Sequence, residues 1–398
     1  MQATATHDLE QSMPVTPPLN SKLPQVGTTI FSTMSQLAAE HQAINLSQGF
    51  PDYDGPASLL ERVDYHIRQG ANQYAPMTGV PQLRKALQAK LLRCYDRKVD
   101  ADTEITVTSG ATEALFAAIA CSVRPGDEVI IFDPAYDSYE PAINLNGGTA
   151  IRLPLLPPDF RINWDQVATA LTPKTRMLIL NSPHNPSGQI LYPEDIQALQ
   201  QLVANTQLLI LADEVYEHMV FDQQRHLSLN LYPDLAARSF IVSSFGKTYH
   251  ITGWKVGYCV APATLTAELR KVHQYLTFST ATPLQRALAD HLHAHPEEDQ
   301  RLNLFYQQKR DFFNHLLAPG RFAFTPSAGT YFQLMDYSAI SQEEDTQFIQ
   351  SLITQAQVAA IPLSVFYQHP PEQLTWVRFC FAKHEKTLEA AASKLLQL

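Results

Sequence analysis

The sequence predicts an α/β protein, with a large domain on a mostly parallel sheet and a smaller α+β domain after it. Between about residues 103 and 260, short continuous apolar runs alternate with helix-like stretches. Strands apolar on both faces and separated by helices signal a parallel sheet covered on both sides. After about Arg286 the texture changes to helices followed by isolated short strands. A chain of 398 residues holds two or three domains by length and can bury a sizeable core.

Taken in order, residues 1–24 are expected to form a flexible arm, because Pro14, Pro17, Pro18 and Pro24 break regular structure. Residues 25–50 are expected to join the small domain, 51–285 to form the large domain and 286–398 the small one. Within the large domain, Ile105–Thr108 reads as a strand that turns at Ser109-Gly110 into a helix over Glu113–Val123. Glu128–Phe132 is a strand closed by Asp133-Pro134, and Met177–Leu180 leads into the turn Asn181-Ser182-Pro183-His184-Asn185-Pro186. Leu208–Ala212 ends in Asp213, and Phe240–Val242 precedes a polar turn. The small domain is expected to hold a helix at Leu302–Leu317, strands at Gly329–Met335 and Thr375–Phe381, and a terminal helix from Lys386.

Composition narrows the function. Hydrophobic residues make up 45% and charged residues 17%, which fits a globular protein. A formal charge of −10 without a basic run argues against binding nucleic acid or an anionic membrane. Cys94, Cys121, Cys259 and Cys380 show neither a CxxC pair nor metal-ligand spacing, so free thiols in a reducing compartment and no metal are expected. Met1–Leu23 lacks the apolar core of a signal peptide, and no apolar run approaches the ~18–20 residues that span a bilayer. The cytoplasm is the expected location.

In an open α/β sheet, ligands collect outside the carboxyl ends of the strands, and those ends carry an unusual set of residues. Lys247 follows an apolar strand and precedes the apolar-aromatic stretch Ile251–Cys259, so its amine is expected to be partly buried. Burial and nearby cations lower a lysine's pKa and free the amine to attack an aldehyde. Ser244 and Lys255 add a hydroxyl and a second cation suited to a phosphate. Asp213, at the mouth of a buried strand, either caps the next helix or pairs with a pyridinium nitrogen, and Tyr216 could reach the same ring. Gly110-Ala111-Thr112 lies between strand and helix, where backbone N–H groups face an anion. Tyr136 could stack on a flat cofactor, and Asn185 offers an amide to a phenolate oxygen. Arg378, flanked by apolar residues on a strand-like segment, needs an anion if buried: either a substrate carboxylate or an internal salt bridge.

Asn-Ser-Pro-His-Asn-Pro-Ser-Gly (181–188), Asp-Glu-Val-Tyr (213–216) and Ser-Phe-Gly-Lys-Thr with Gly-Trp-Lys-Val-Gly-Tyr (244–258) resemble the class I/II aminotransferases of fold type I, which use pyridoxal 5'-phosphate (PLP). The resemblance runs from about Pro24 to the C-terminus. Asn-Leu-Ser-Gln-Gly-Phe-Pro-Asp (45–52) and Asn-Gln-Tyr-Ala-Pro-Met-Thr-Gly (72–79) are most similar to methionine aminotransferases and the kynurenine/glutamine aminotransferase group. The resemblance implies a seven-stranded sheet and a Schiff base between PLP and Lys247. It implies Asp213 on the pyridine nitrogen, Asn185 and Tyr216 on the ring oxygen, and Tyr136 stacked on the ring. Ser244, Lys255 and Gly110–Thr112 would hold the phosphate, while Arg378, the Gly49 backbone and Asn185 would bind the substrate carboxylate. Tyr74 matches a residue that reaches the neighbouring subunit's phosphate, which implies a homodimer with shared sites. Lys255 departs from the arginine of many relatives and offers a point charge in place of a fork. Thr112 stands where some relatives have an aromatic, leaving ring stacking to Tyr136.

The expected activity is ping-pong transfer of an amino group from an L-amino acid to a 2-oxo acid. Leu276–Ala281 shows no arginine where aspartate aminotransferases place one for a distal carboxylate. With Ile30, Phe31, Phe278 and Tyr331 as candidate liners, the side-chain pocket is expected to take methionine, phenylalanine, tyrosine, kynurenine or glutamine, with methionine favoured. Rival readings on the same scaffold are a cysteine-conjugate β-lyase and an aminocyclopropane carboxylate synthase. A PLP-binding transcriptional regulator would need a DNA-binding domain for which the arm is too short.

Overall fold

The computed structural model describes residues 19–24 and 26–398. The stretch through residue 18, which is most of the expected flexible arm, lies outside the described residues.

The large sheet has seven strands: β1 Ile105–Thr108, β2 Glu128–Asp133, β3 Thr149–Pro154, β4 Thr175–Asn181, β5 Leu209–Asp213, β6 Ser239–Ser244 and β7 Gly257–Val260. Their spatial order is β1-β7-β6-β5-β4-β2-β3. Pairs among β2 to β6 are parallel, and only β7 runs antiparallel, against both β1 and β6. The strands are apolar because helices cover both faces; β1, β6 and β7 are buried at every position.

Register decides what the sheet presents at its rim. Asn181 pairs with Asp213, Asp213 with Val242, Ser244 with Gly257, and Gly257 with Thr108. The carboxyl ends of β1, β4, β5 and β6 therefore meet the amino end of β7 along one edge. The helix after β1 begins at Gly110, earlier than the expected Glu113. Its first turn is tied by the Ser109 N–H, which donates to Glu113 Oε2 at 2.5 Å, so Gly110–Thr112 are themselves the helix start.

Beyond the large sheet, Phe332–Asp336, Trp376–Cys380 and Ile361–Pro362 form a three-stranded antiparallel sheet. The expected strand at Gly329–Met335 starts late, because Gly329 N–H bonds to Gly188 O and Thr330 takes a left-handed φ of 67°, a turn conformation. Helices Leu302–Leu317 and Glu385–Leu395 pack on one another. Near the amino end, Ile44–Asn45 pairs in parallel with Val358–Ala359. The helix Thr282–Ala294 crosses the divide drawn after residue 285, and its Ala287, Leu288 and Leu292 pack in one cluster with Leu59, Leu83 and Leu87. Among the described residues no helix is long and apolar enough to cross a membrane, and the four cysteines are unpaired.

Candidate active site

At the rim of the sheet, Gly110, Ala111, Thr112, Tyr136, Asn185, Asp213, Tyr216, Ser244, Lys247 and Lys255 line one cavity with about 720 Å³ of empty space. Residues separated by more than 140 positions in sequence thus converge on one volume.

Lys247 stands on the short helix Phe245–Thr248 directly after β6. Its Nζ donates to Tyr331 Oη at 2.8 Å and to the Gly49 carbonyl at 3.2 Å. Removal from water, reinforced by the Arg378 and Lys255 charges, lowers its pKa to about 8. A useful fraction of neutral amine is therefore present near neutrality.

Asp213 ends β5 and is 4% exposed. Tyr139 donates its hydroxyl proton to Oδ2 at 2.6 Å, and the Val215 N–H approaches Oδ1 at 3.4 Å. Burial outweighs these donors and pushes the carboxyl pKa up to about 6. The carboxylate has no cation bonded to it among the described residues. Tyr216 is buried beside it, with its phenol raised by burial and its ring edge-on to Tyr331 at 5.2 Å.

Arg378 lies on the strand Trp376–Cys380 and is 1% exposed. Nη1 donates to Asn185 Oδ1 at 2.7 Å and Nη2 to the Ser47 carbonyl at 3.0 Å, while buried Nε has no partner. No carboxylate pairs with it among the described residues, so the internal salt bridge is not formed. Burial lowers even this guanidinium to about 10. Its plane rests 4.0 Å above the Phe332 ring, with Phe31 and Phe366 each at 5.4 Å.

The corner expected to take an anion is built from backbone. Gly110 takes φ +76°, and a Cβ there would come within 3.2 Å of Lys255 Cε. A Cβ on Gly257 would lie 2.7 Å from Ala111 N, so β7 can approach the turn only as glycine. Lys255 Nζ reaches Thr112 Oγ1 at 3.4 Å, and the helix N–H groups open on the same space. Tyr136 is part-buried next to Thr112, and burial raises its phenol pKa.

Other expected residues fall elsewhere. Phe31 stacks near Arg378, while Ile30 lines an adjoining open groove with Tyr136 and Phe366. Tyr331 is fully buried and touches Lys247 where a pocket wall was expected. The Gly49 carbonyl is taken by Lys247 and Tyr331. Tyr74, 85% exposed, meets Phe278 edge to face at 5.4 Å, and neither lines this chain's cavity. Sequence reading missed two residues. Tyr139 holds Asp213, and Asn181 accepts the Asn185 N–H while donating to the Asp213 carbonyl. The signals were Tyr139 one turn after Tyr136, and Asn181 at a strand end.

The family description "Aminotransferase class I and II" matches residues 41–395. The chain belongs to this family. The methionine aminotransferase of Escherichia coli (strain K12) is 58% identical over 379 residues, 95% of this chain and 98% of that protein. The probable N-succinyldiaminopimelate aminotransferase DapC of Mycobacterium tuberculosis is 38% identical over 385 residues, 94% of this chain and 97% of its own. A solved structure of YbdL from Escherichia coli, described as identifying a methionine aminotransferase function, superposes with TM-score 0.94 at 57% identity, covering 97% of this chain and 100% of that one.

The cofactor of class I and II aminotransferases is PLP, and the cavity fits it. A buried carboxylate without a cation and an amine near pKa 8 line one space, and a buried guanidinium without an anion among the described residues bonds Asn185 on its wall. These are the groups that a pyridinium, a substrate carboxylate and an aldehyde would satisfy.

Proposed function

We propose that this aminotransferase acts on methionine and on amino acids with comparable apolar or aromatic side chains, with PLP held by the residues named here. The observation that carries the residue roles is the pair of uncompensated buried groups, Asp213 and Arg378, whose charges both act on the Lys247 amine.

When bound, PLP supplies an electron sink for the charge that develops on the substrate's Cα. Asp213 would hold a proton on the ring nitrogen, because a buried carboxylate near pKa 6 gains most from a cation brought to it. Asn185 and Tyr216 would hold the ring oxygen, Tyr136 would pack on the ring, and Gly110–Thr112, Ser244 and Lys255 would hold the phosphate, all of them lining the one cavity. Arg378 turns its paired N–H groups to the substrate carboxylate and so orients Cα toward Lys247. Lys247 would take the proton from the substrate Cα and hold it on Nζ, a task suited to an amine with pKa about 8. Donor and acceptor use one site in turn, so kinetics are ping-pong.

Phe31, Phe332 and Phe366 surround Arg378, which suits an apolar or aromatic substrate side chain. The similarity to the methionine aminotransferase of Escherichia coli supports the same preference. Two copies are proposed to pair in the cytoplasm, each sending Tyr74 and Phe278 to the other's cavity. The deciding experiment is a panel of amino donors with a fixed 2-oxo acid. Methionine is expected to lead, with phenylalanine, tyrosine, kynurenine and glutamine behind. A profile led by aspartate, or by N-succinyldiaminopimelate, overturns the substrate assignment. Lys247→Ala is expected to lose the visible band of lysine-bound PLP, and survival of that band overturns the lysine assignment.

A further inference from the structure

Three polar atoms at the floor of the cavity form a closed triangle. Tyr331 Oη donates its single proton to the Gly49 carbonyl at 2.5 Å, Lys247 Nζ donates to Tyr331 Oη at 2.8 Å, and Lys247 Nζ also reaches the Gly49 carbonyl at 3.2 Å. Tyr331 has no exposed surface, and the rings of Tyr216, Tyr306 and Phe332 hold it at 5.2, 5.7 and 4.9 Å. Its hydroxyl therefore has a fixed position and a proton already committed, which leaves the oxygen to act as an acceptor.

An amine nitrogen has four tetrahedral directions. One is the bond to Cε, and here the two acceptors claim two more through N–H bonds. The fourth carries the lone pair of the neutral amine and is left free of Tyr331 and Gly49, on an amine that lines the cavity together with Asp213 and Tyr216. Without the tyrosine oxygen, rotation about the last two bonds of the lysine would spread that lone pair over several directions. Lysine carries large rotamer freedom, and fixing it beforehand removes an entropic part of the barrier.

We propose that Tyr331 is a positioning residue for proton transfer, its hydroxyl oxygen and the Gly49 carbonyl pinning the Lys247 amine so that its lone pair faces the substrate Cα. Tyr331 itself gives up no proton in this arrangement; the proton that moves leaves the substrate carbon and bonds to Lys247 Nζ. This rests on the reading of Lys247 as the cofactor lysine.

The test is Tyr331→Phe, which keeps the ring and removes the acceptor. In the holoenzyme the visible band and the KM for methionine are expected to stay within about 2-fold of wild type. The kcat is expected to fall about 3- to 10-fold, the equivalent of one lost hydrogen bond. Methionine deuterated at Cα should show a larger isotope effect in the variant, because proton transfer becomes more limiting. In the cofactor-free protein, reductive methylation of Lys247 is followed against pH by mass spectrometry. Its midpoint should move below the wild-type value, since the ammonium form loses an acceptor. An unchanged isotope effect together with an unchanged methylation midpoint overturns the proposal. Equal losses in kcat and in 1/KM with no isotope change mark a packing role and overturn it as well. If the variant does not fold, incorporating 3-fluorotyrosine weakens the same acceptor without changing the packing, and the midpoint should fall likewise. A visible band surviving in Lys247→Ala would instead condemn the cofactor assignment, while the methylation midpoint would still report on the triangle.

Discussion

Replacing Asp213 with Asn should stabilise the cofactor-free protein and weaken the holoenzyme. The carboxyl sits 4% exposed at the end of β5, with a folded pKa of about 6 against an unfolded 3.8. A raised folded pKa means that the protonated fold is favoured. The stability present below pH 4 is lost as the unfolded chain ionises, and the loss is complete above about pH 6. The full loss is roughly two pH units of linkage, or about 3 kcal/mol above pH 7 and about half of that at pH 5. Asparagine keeps an oxygen for the Tyr139 hydroxyl, keeps the volume and carries no charge. The assay is urea unfolding of cofactor-free wild type and variant at pH 5 and pH 8, at one protein concentration because a dimer's stability depends on it. The variant's advantage should grow by about 1–2 kcal/mol between the two pH values. Adding PLP should reverse the order, because a protonated ring nitrogen would bring the missing cation to Asp213 but would meet only a neutral amide in the variant. A stability difference that does not change with pH, or a variant that gains as much from PLP as wild type, would refute the reasoning.

Arg378→Lys should lower kcat/KM for methionine by about 100-fold, near 3 kcal/mol, by losing the paired carboxylate contact and leaving one ammonium in a space cut for a fork; steady-state kinetics check this. Lys90→Met should destabilise the fold by about 3–5 kcal/mol, because it leaves Glu217 buried and ionised without its cation. Lys90 Nζ bonds Glu217 Oε1 at 2.7 Å and Tyr258 Oη at 2.7 Å directly behind the strands that carry the site, and denaturant midpoints measure the loss. Mixing the separately inactive Lys247→Ala and Tyr74→Ala chains, then unfolding and refolding them together, should restore activity, since a mixed dimer contains one intact site. Continued inactivity of the mixture would count against shared sites.

The alternation of apolar strands and helices, the position of most strand ends and the place of Lys247, Asp213 and Asn185 at the rim could be read from the chain, because those signals are local. An apolar run must be buried, and a polar residue at its end must face the rim. The aminotransferase family was legible for the same reason, since its motifs are short and carry their chemistry within a few residues. What could not be read depended on which segments meet. β7 runs against its neighbours, so Gly257 and Lys255 come to the rim from a strand's beginning instead of its end, and only strand order reveals that. Tyr139 finds Asp213 across 74 positions, and Tyr331 finds Lys247 across 84. Whether Arg378 meets a carboxylate of its own chain was likewise undecided by its neighbours in sequence. Burial, and with it the uncompensated charges of Arg378 and Asp213, is a property of the packed whole. Local sequence therefore determined the chemical parts of this protein, and tertiary packing alone decided which charges were left without partners, because desolvation and hydrogen-bond geometry act between residues that the chain keeps far apart.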